Sequence, residues 1–183
     1  MSSEKLASWK GITREERYFT SLLFHDLREC SDPLIELLRE EKALRAGAVV
    51  KEVGFEVCFF RDAYHYCLID SHENRVKQTF DLVLFLNSNH MVIIEAKAQQ
   101  GFKMDQIRML LEAKENIVKT GFKPATEVSL VALYSSRYSP REETLKGFDA
   151  YITWQQIAGI YSTSKNRKDY ERADCIYADR RDC

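Results

Sequence analysis

Apolar residues recur along the chain at two spacings, and the alternation between them divides it into elements. In T-R-E-E-R-Y-F-T-S-L-L-F-H-D-L, Tyr18, Phe19, Leu22, Leu23 and Leu27 make one helical stripe, and Thr13 and Glu16 have capping-box spacing. The pattern predicts a helix over residues 13–29. Pro33 stands where a first-turn proline opens a second helix, L-I-E-L-L-R-E-E-K-A-L-R-A, expected to end near Gly47. From Val49 the texture turns β-branched and aromatic, and the segment up to residue 70 reads as one or two strands, followed by a polar break over residues 71–74. T-F-D-L-V-L-F-L and M-V-I-I-E-A-K are two further strands, joined by Asn87-Ser88-Asn89-His90 into an antiparallel hairpin. Ile107, Leu110, Leu111, Ile117 and Val118 predict a helix over residues 103–120 with Gly121 as C-cap. V-S-L-V-A-L-Y-S-S is continuously apolar, as a strand covered on both faces is. A-Y-I-T-W predicts a last strand and residues 154–162 a last helix.

A hairpin followed by a helix and another strand implies an α/β fold, an α+β sandwich with a mixed central sheet flanked by helices. At 183 residues the expectation is one domain, with a core over about residues 13–162 and a polar tail over 163–183 whose structure the pattern leaves open.

Charge narrows the function classes. Lys+Arg 27 against Asp+Glu 28 excludes a wholly basic nucleic-acid coat, so a polyanion partner must be met by a local site. The chain has no apolar run near the roughly 20 residues that a membrane helix needs, and residues 1–10 have no signal-peptide core. A cytoplasmic protein is expected. The five cysteines form no C-x-x-C pair, and their odd number argues for reduced thiols, two or three of them in the core. His25, His65, His72 and His90 lack zinc-ligand spacing.

The candidate chemistry lies in the hairpin. Glu95 and Lys97, two apart on a strand, point the same way, while Ile94 and Ala96 point oppositely. If the strands pair symmetrically about the loop, Asp81 at the start of the first lies near the end of the second. Burying these charges among apolar neighbours costs several kcal/mol for each one left uncompensated. A hard divalent cation offsets that cost, since Mg²⁺ takes one or two carboxylates together with water and phosphate oxygens. The set reads as metal-assisted phosphodiester hydrolysis.

Asp81, thirteen intervening residues, then Glu95-Ala96-Lys97, each half on an apolar strand, resembles the PD-(D/E)xK nuclease superfamily with its restriction-endonuclease-like fold. The resemblance covers residues 13–136 and implies an αβββαβ core, Mg²⁺ (or Mn²⁺) held by Asp81 and Glu95, and Lys97 assisting water attack. Phe80 stands where the motif's proline would be, which weakens the match without touching the ligands. Many members carry a glutamate on the first helix that reaches the metal. Glu16 fits that spacing, and Glu15, nearer the centre of the apolar stripe, is the competing candidate. Some members add a glutamine on the following helix, for which Gln106 is better placed than Gln99 or Gln100. Cys175 and Cys183 alone do not fit the four-cysteine iron–sulfur pattern of other members.

These readings have plainer competitors. Glu95 and Lys97 also suit a solvated pair on an edge strand, Glu16 the reciprocal half of a capping box, and Gln106 a solvent-facing helix position. From Lys97 to Lys123 six basic residues face three acidic ones, either a modest phosphate patch or an ordinary charged helix face. Tyr151 and Trp154 read as core more readily than as base-stacking residues. The expectation is a Mg²⁺-dependent nuclease acting on nucleic acid, DNA ahead of RNA, possible as a homodimer because cutting both strands calls for two sites. The alternatives are a weakly active nucleic-acid-binding or protein-interaction module, or a nuclease subunit active only in a complex.

Overall fold

A computed structural model of the protein describes residues 13–69 and 78–177. The elements are α1 (Glu16–Glu29), α2 (Asp32–Glu40), β1 (Val50–Val57), α3 (Phe59–His65), β2 (Phe80–Leu86), β3 (His90–Ala96), α4 (Met104–Lys119), β4 (Glu127–Tyr134), α5 (Glu142–Leu145), β5 (Ala150–Thr153), α6 (Trp154–Ile160) and α7 (Arg167–Cys175). The five strands form one sheet in the order β1-β2-β3-β4-β5. β1, β2 and β3 pair antiparallel, while β4 and β5 continue parallel to β3, so the sheet is mixed and the fold is α/β.

Strand alternation distributes the apolar residues over two faces. Leu82, Leu84, Leu86, Val92, Ile94, Leu133 and Ile152 meet Phe19, Leu23, Leu34, Leu38, Trp154 and Tyr170 from α1, α2, α6 and α7. Val83, Met91, Ile93, Leu130 and Ala132 meet Phe59, Phe60, Ile107, Leu110, Ala113 and Ile117 from α3 and α4. Helices therefore cover both faces, and β3 lies at the centre of the sheet with every residue buried.

Four sequence expectations need correction. The segment after Val57 is not a second strand: Phe59, Phe60 and Ala63 share the buried face of α3, a spacing that a helix satisfies and a strand does not. The second helix stops at Glu40, well short of Gly47. Lys42 enters the left-handed region at φ 62, and the Ala43 and Lys42 amides donate to the carbonyls of Leu38 and Arg39. That is a Schellman closure built on a residue that carries no sequence signal for it. The expected polar tail contains α7, whose Tyr170 and Ala173 are fully buried against α1 and α6. Of the cysteines, Cys30, Cys58, Cys67 and Cys175 are free and none is buried; Cys183 lies outside the described residues. The break expected over residues 71–74 lies outside them as well. Elsewhere the helix over Met104–Lys119 ends on Gly121 at φ 68, as its C-cap role requires. Among the described residues no helix is long and apolar enough to cross a membrane.

Candidate active site

The hairpin register decides which polar groups meet. Leu82 pairs with Ile94, Val83 with Ile93, Leu84 with Val92 and Phe85 with Met91, so one step further out Asp81 comes level with Glu95. Asp81 Oδ2 accepts from the Ala96 amide at 2.9 Å, tying the start of β2 to the end of β3. Glu95 is only 4 % exposed. Its Oε1 accepts from Lys97 Nζ at 2.8 Å and also from the side-chain amide of Gln106 on α4. The solvated edge-strand pair is excluded, because β3 is central and Glu95 lies on the face that α4 covers.

α1 approaches the same point from the opposite layer. Glu16 Oε2 accepts from the Ala98 amide at 2.9 Å, and its Oε1 lies 3.8 Å from Lys97 Nζ. Glu15 is the exposed residue preceding α1, so the first helix turns Glu16 and not Glu15 toward the cluster. The capping box with Thr13 does not form. The helix start has no side-chain cap, and Thr13 Oγ1 accepts instead from the Glu15 amide at 3.4 Å. Gln106, expected as a solvent-facing or structural residue, reaches the cluster, whereas Gln100 is exposed.

Electrostatics leave the cluster with more carboxylates than cations. Burial pushes the Glu95 carboxyl up to about 7, with the Asp81 and Glu16 carboxylates adding to the rise and Lys97 opposing it. Burial likewise raises Asp81 and Glu16, against the pull of Lys97 and of the Ala96 and Ala98 amides. Burial works against the Lys97 charge too, but Glu95, Glu16 and Asp81 outweigh it and hold the ammonium above its ordinary range. One buried carboxylate and two partly buried ones thus share one ammonium.

That donor set fits a hard divalent cation. Its ligands are carboxylate oxygens, and its charge offsets the excess that burial makes costly. Among the described residues no three His, Cys, Asp or Glu side chains stand ready-grouped to ligate an ion. Asp81 and Glu95 would hold it with water and substrate oxygens, in the manner of Mg²⁺.

Other residues acting on the cluster were not legible in the sequence. Trp154 is fully buried in the core, and its indole donates to the Lys97 carbonyl at 3.1 Å. Tyr151, read as core, is exposed. Glu56 raises Asp81 and Arg17 lowers it, the two forming an ion pair at 2.6 Å. Glu56 lies between the pairs Phe55–Leu82 and Val57–Phe80 and takes φ 51, a strained value for a glutamate. Only knowledge of the β1–β2 register could have pointed to it. The basic excess after Lys97 is largely spent: Arg108 pairs with Asp105, Lys119 with Glu115 and Lys114 with Asp149. No protein-family model matches this chain, and neither a curated protein nor a solved structure matches it.

Proposed function

We propose that the protein is a metal-dependent nuclease that hydrolyses phosphodiester bonds in DNA, on a restriction-endonuclease-like core. The observation that carries this reading is the convergence of Asp81, Glu95 and Glu16, from three different elements, on Lys97 at the buried end of a hairpin. The order α1, β1, β2, β3, α4, β4 supports it, being the αβββαβ order of the superfamily with α2 and α3 as additions. The cytoplasm goes with this reading.

Asp81 and Glu95 would hold the cation, and Glu16 would complete the acidic shell. When bound, a divalent cation offsets the charge that builds on phosphorus and makes water acidic enough to attack at neutral pH. Lys97, kept protonated by its three carboxylates, serves as a fixed positive charge that orients the attacking water and stabilises the transition state. Gln106 and Lys97 both donate to Glu95 Oε1 and so set the direction of that carboxylate. Trp154 and the Ala98 contact fix the backbone on which Lys97 is carried.

The test is to incubate the purified protein with plasmid, single-stranded DNA and RNA, in Mg²⁺, in Mn²⁺ and in chelator. Metal-dependent cleavage of DNA is expected, abolished by Asp81→Ala and by Lys97→Ala. Cleavage that survives either substitution overturns the assignment. A binding module without catalysis would instead show no Mg²⁺ heat by calorimetry and no cleavage of any substrate.

A further inference from the structure

The parallel strands β3 and β4 end side by side. The Lys97 amide donates to the Leu133 carbonyl at 2.7 Å, which brings the loop after β4 next to the catalytic cluster. The end of β4, the loops after β3 and β4, and Tyr177 beyond α7 together assemble a group of aromatic rings. Lys97 Nζ lies 5.9 Å from the Phe102 ring centre. Phe102 in turn meets Tyr134 at 6.2 Å and Tyr138 at 6.4 Å, Tyr134 meets Tyr138 at 5.8 Å, and Tyr138 meets Tyr177 at 5.1 Å.

Packing accounts for only the inner part of this group. Phe102 and Phe148 are buried, their ring centres 5.0 Å apart, whereas Tyr134, Tyr138 and Tyr177 are half-buried and leave ring surface to solvent. The loop after β3 is also shaped around Tyr138. A Cβ at Gly101 would lie 2.6 Å from the Tyr138 hydroxyl, so any other residue there would displace the ring. Lys103, Arg137 and Arg141 are exposed on the segments that carry these rings and can meet a phosphate backbone.

We propose that Tyr138, flanked by Tyr134 and Tyr177, is a stacking platform for unpaired bases, and that the strand delivered to Lys97 is single-stranded DNA. The inference rests on the nuclease reading for what happens to that strand, but not for its binding. Partly exposed aromatic rings with nearby cations bind single strands because every base has a π-face to offer. In a duplex those faces are covered by neighbouring bases, so a stacking site next to the scissile position selects single strands, flaps and frayed ends.

The probe is a short single-stranded oligodeoxynucleotide carrying 2-aminopurine, mixed with the full chain in chelator so that binding is read without cleavage. Stacking on the protein changes the probe's fluorescence. Wild type and Tyr138→Phe should give the same change, Tyr138→Ala should lose most of it and bind about tenfold or more weakly, and the matching duplex should give none. A Tyr138→Ala protein that melts like wild type and binds the strand equally well overturns the proposal. Should that variant not fold, photo-crosslinking wild type to a 5-iodouracil strand decides. Adducts on Tyr134, Tyr138 or Tyr177 support the platform, and adducts only elsewhere overturn it. If no substrate is cleaved but the stacking signal stands, the nuclease reading alone falls. If cleavage is seen and Tyr138→Ala changes nothing, the platform alone falls.

Discussion

The amide of Ala98 donates to Oε2 of Glu16 at 2.9 Å, joining the first turn of α1 to the strand end that carries Lys97. Glu16 thereby has two roles, a structural one through Oε2 and an electrostatic one through Oε1, which faces Lys97 at 3.8 Å. The roles separate by substitution. Glu16→Ala leaves a buried amide without its acceptor and should cost about 1–3 kcal/mol in urea denaturation. Glu16→Gln keeps an acceptor and should recover most of that stability while cleavage stays impaired. Full cleavage by Glu16→Gln would remove Glu16 from the reaction.

Lys97 is the ammonium that buried Glu95 shares with the partly buried Asp81 and Glu16, so its loss should affect both stability and activity. Lys97→Met is expected to cost roughly 3–5 kcal/mol near pH 8, as expected when one partner of a buried ion cluster is removed. The deficit should shrink toward pH 5 as the carboxylates take up protons. Denaturation midpoints at the two pH values check this, and an unchanged deficit would mean that the cluster is better solvated than its burial indicates.

Glu95 sets a pH dependence whose sign is opposite to that of an ordinary buried salt bridge. Its folded pKa of about 7 lies above the unfolded value of 4.5, so its favourable contribution is full below about 4.5 and is lost as pH rises through 7. Glu95→Gln removes that dependence, and the variant should gain on wild type by on the order of 1 kcal/mol or more between pH 5 and pH 8. His90 contributes with the other sign. Burial lowers its pKa, so protonating it below its unfolded value near 6.5 destabilises the fold. The difference curve between variant and wild type cancels this contribution. The same Glu95 proton must leave when a cation binds, so Mg²⁺ affinity measured by calorimetry should rise through pH 7.

Trp154 acts on Lys97 only through the backbone, by the 3.1 Å bond from its indole to the Lys97 carbonyl. Trp154→Phe should lower stability by about 2–3 kcal/mol, from lost volume together with an unmet acceptor. Cleavage should fall chiefly in kcat, with KM little changed, because Trp154 touches no substrate. A variant whose loss lies wholly in KM would contradict this positioning role.

Most of the architecture was legible because hydrophobic period is a local property. The two strands of the hairpin, the helix over Met104–Lys119 and the doubly buried β4 all follow from spacing along a few turns or pleats. The failures share a cause. Phe59 to His65 carries strand-like aromatic residues, yet it folds as α3 because its buried face packs on the sheet beside α4. Lys42 ends α2 in a conformation that composition does not announce. Residues 163–177 look polar because only one side of α7 is buried, and that side meets α1 and α6.

The candidate site divides in the same way. Asp81, Glu95 and Lys97 could be gathered from sequence alone, since two strands joined by a short loop pair in a register that the loop imposes. Whether Glu15 or Glu16 joins them depends on how α1 sits on the sheet, a choice made by Phe19, Leu23 and Leu27 packing against residues far along the chain. Tertiary structure also recruited Gln106, Trp154, Arg17 and Glu56, and set Tyr138 over Gly101. Sequence determined the hairpin and its three charges because they are covalently close. The second layer of the site was decided by helix packing, which brings together groups that no local spacing relates.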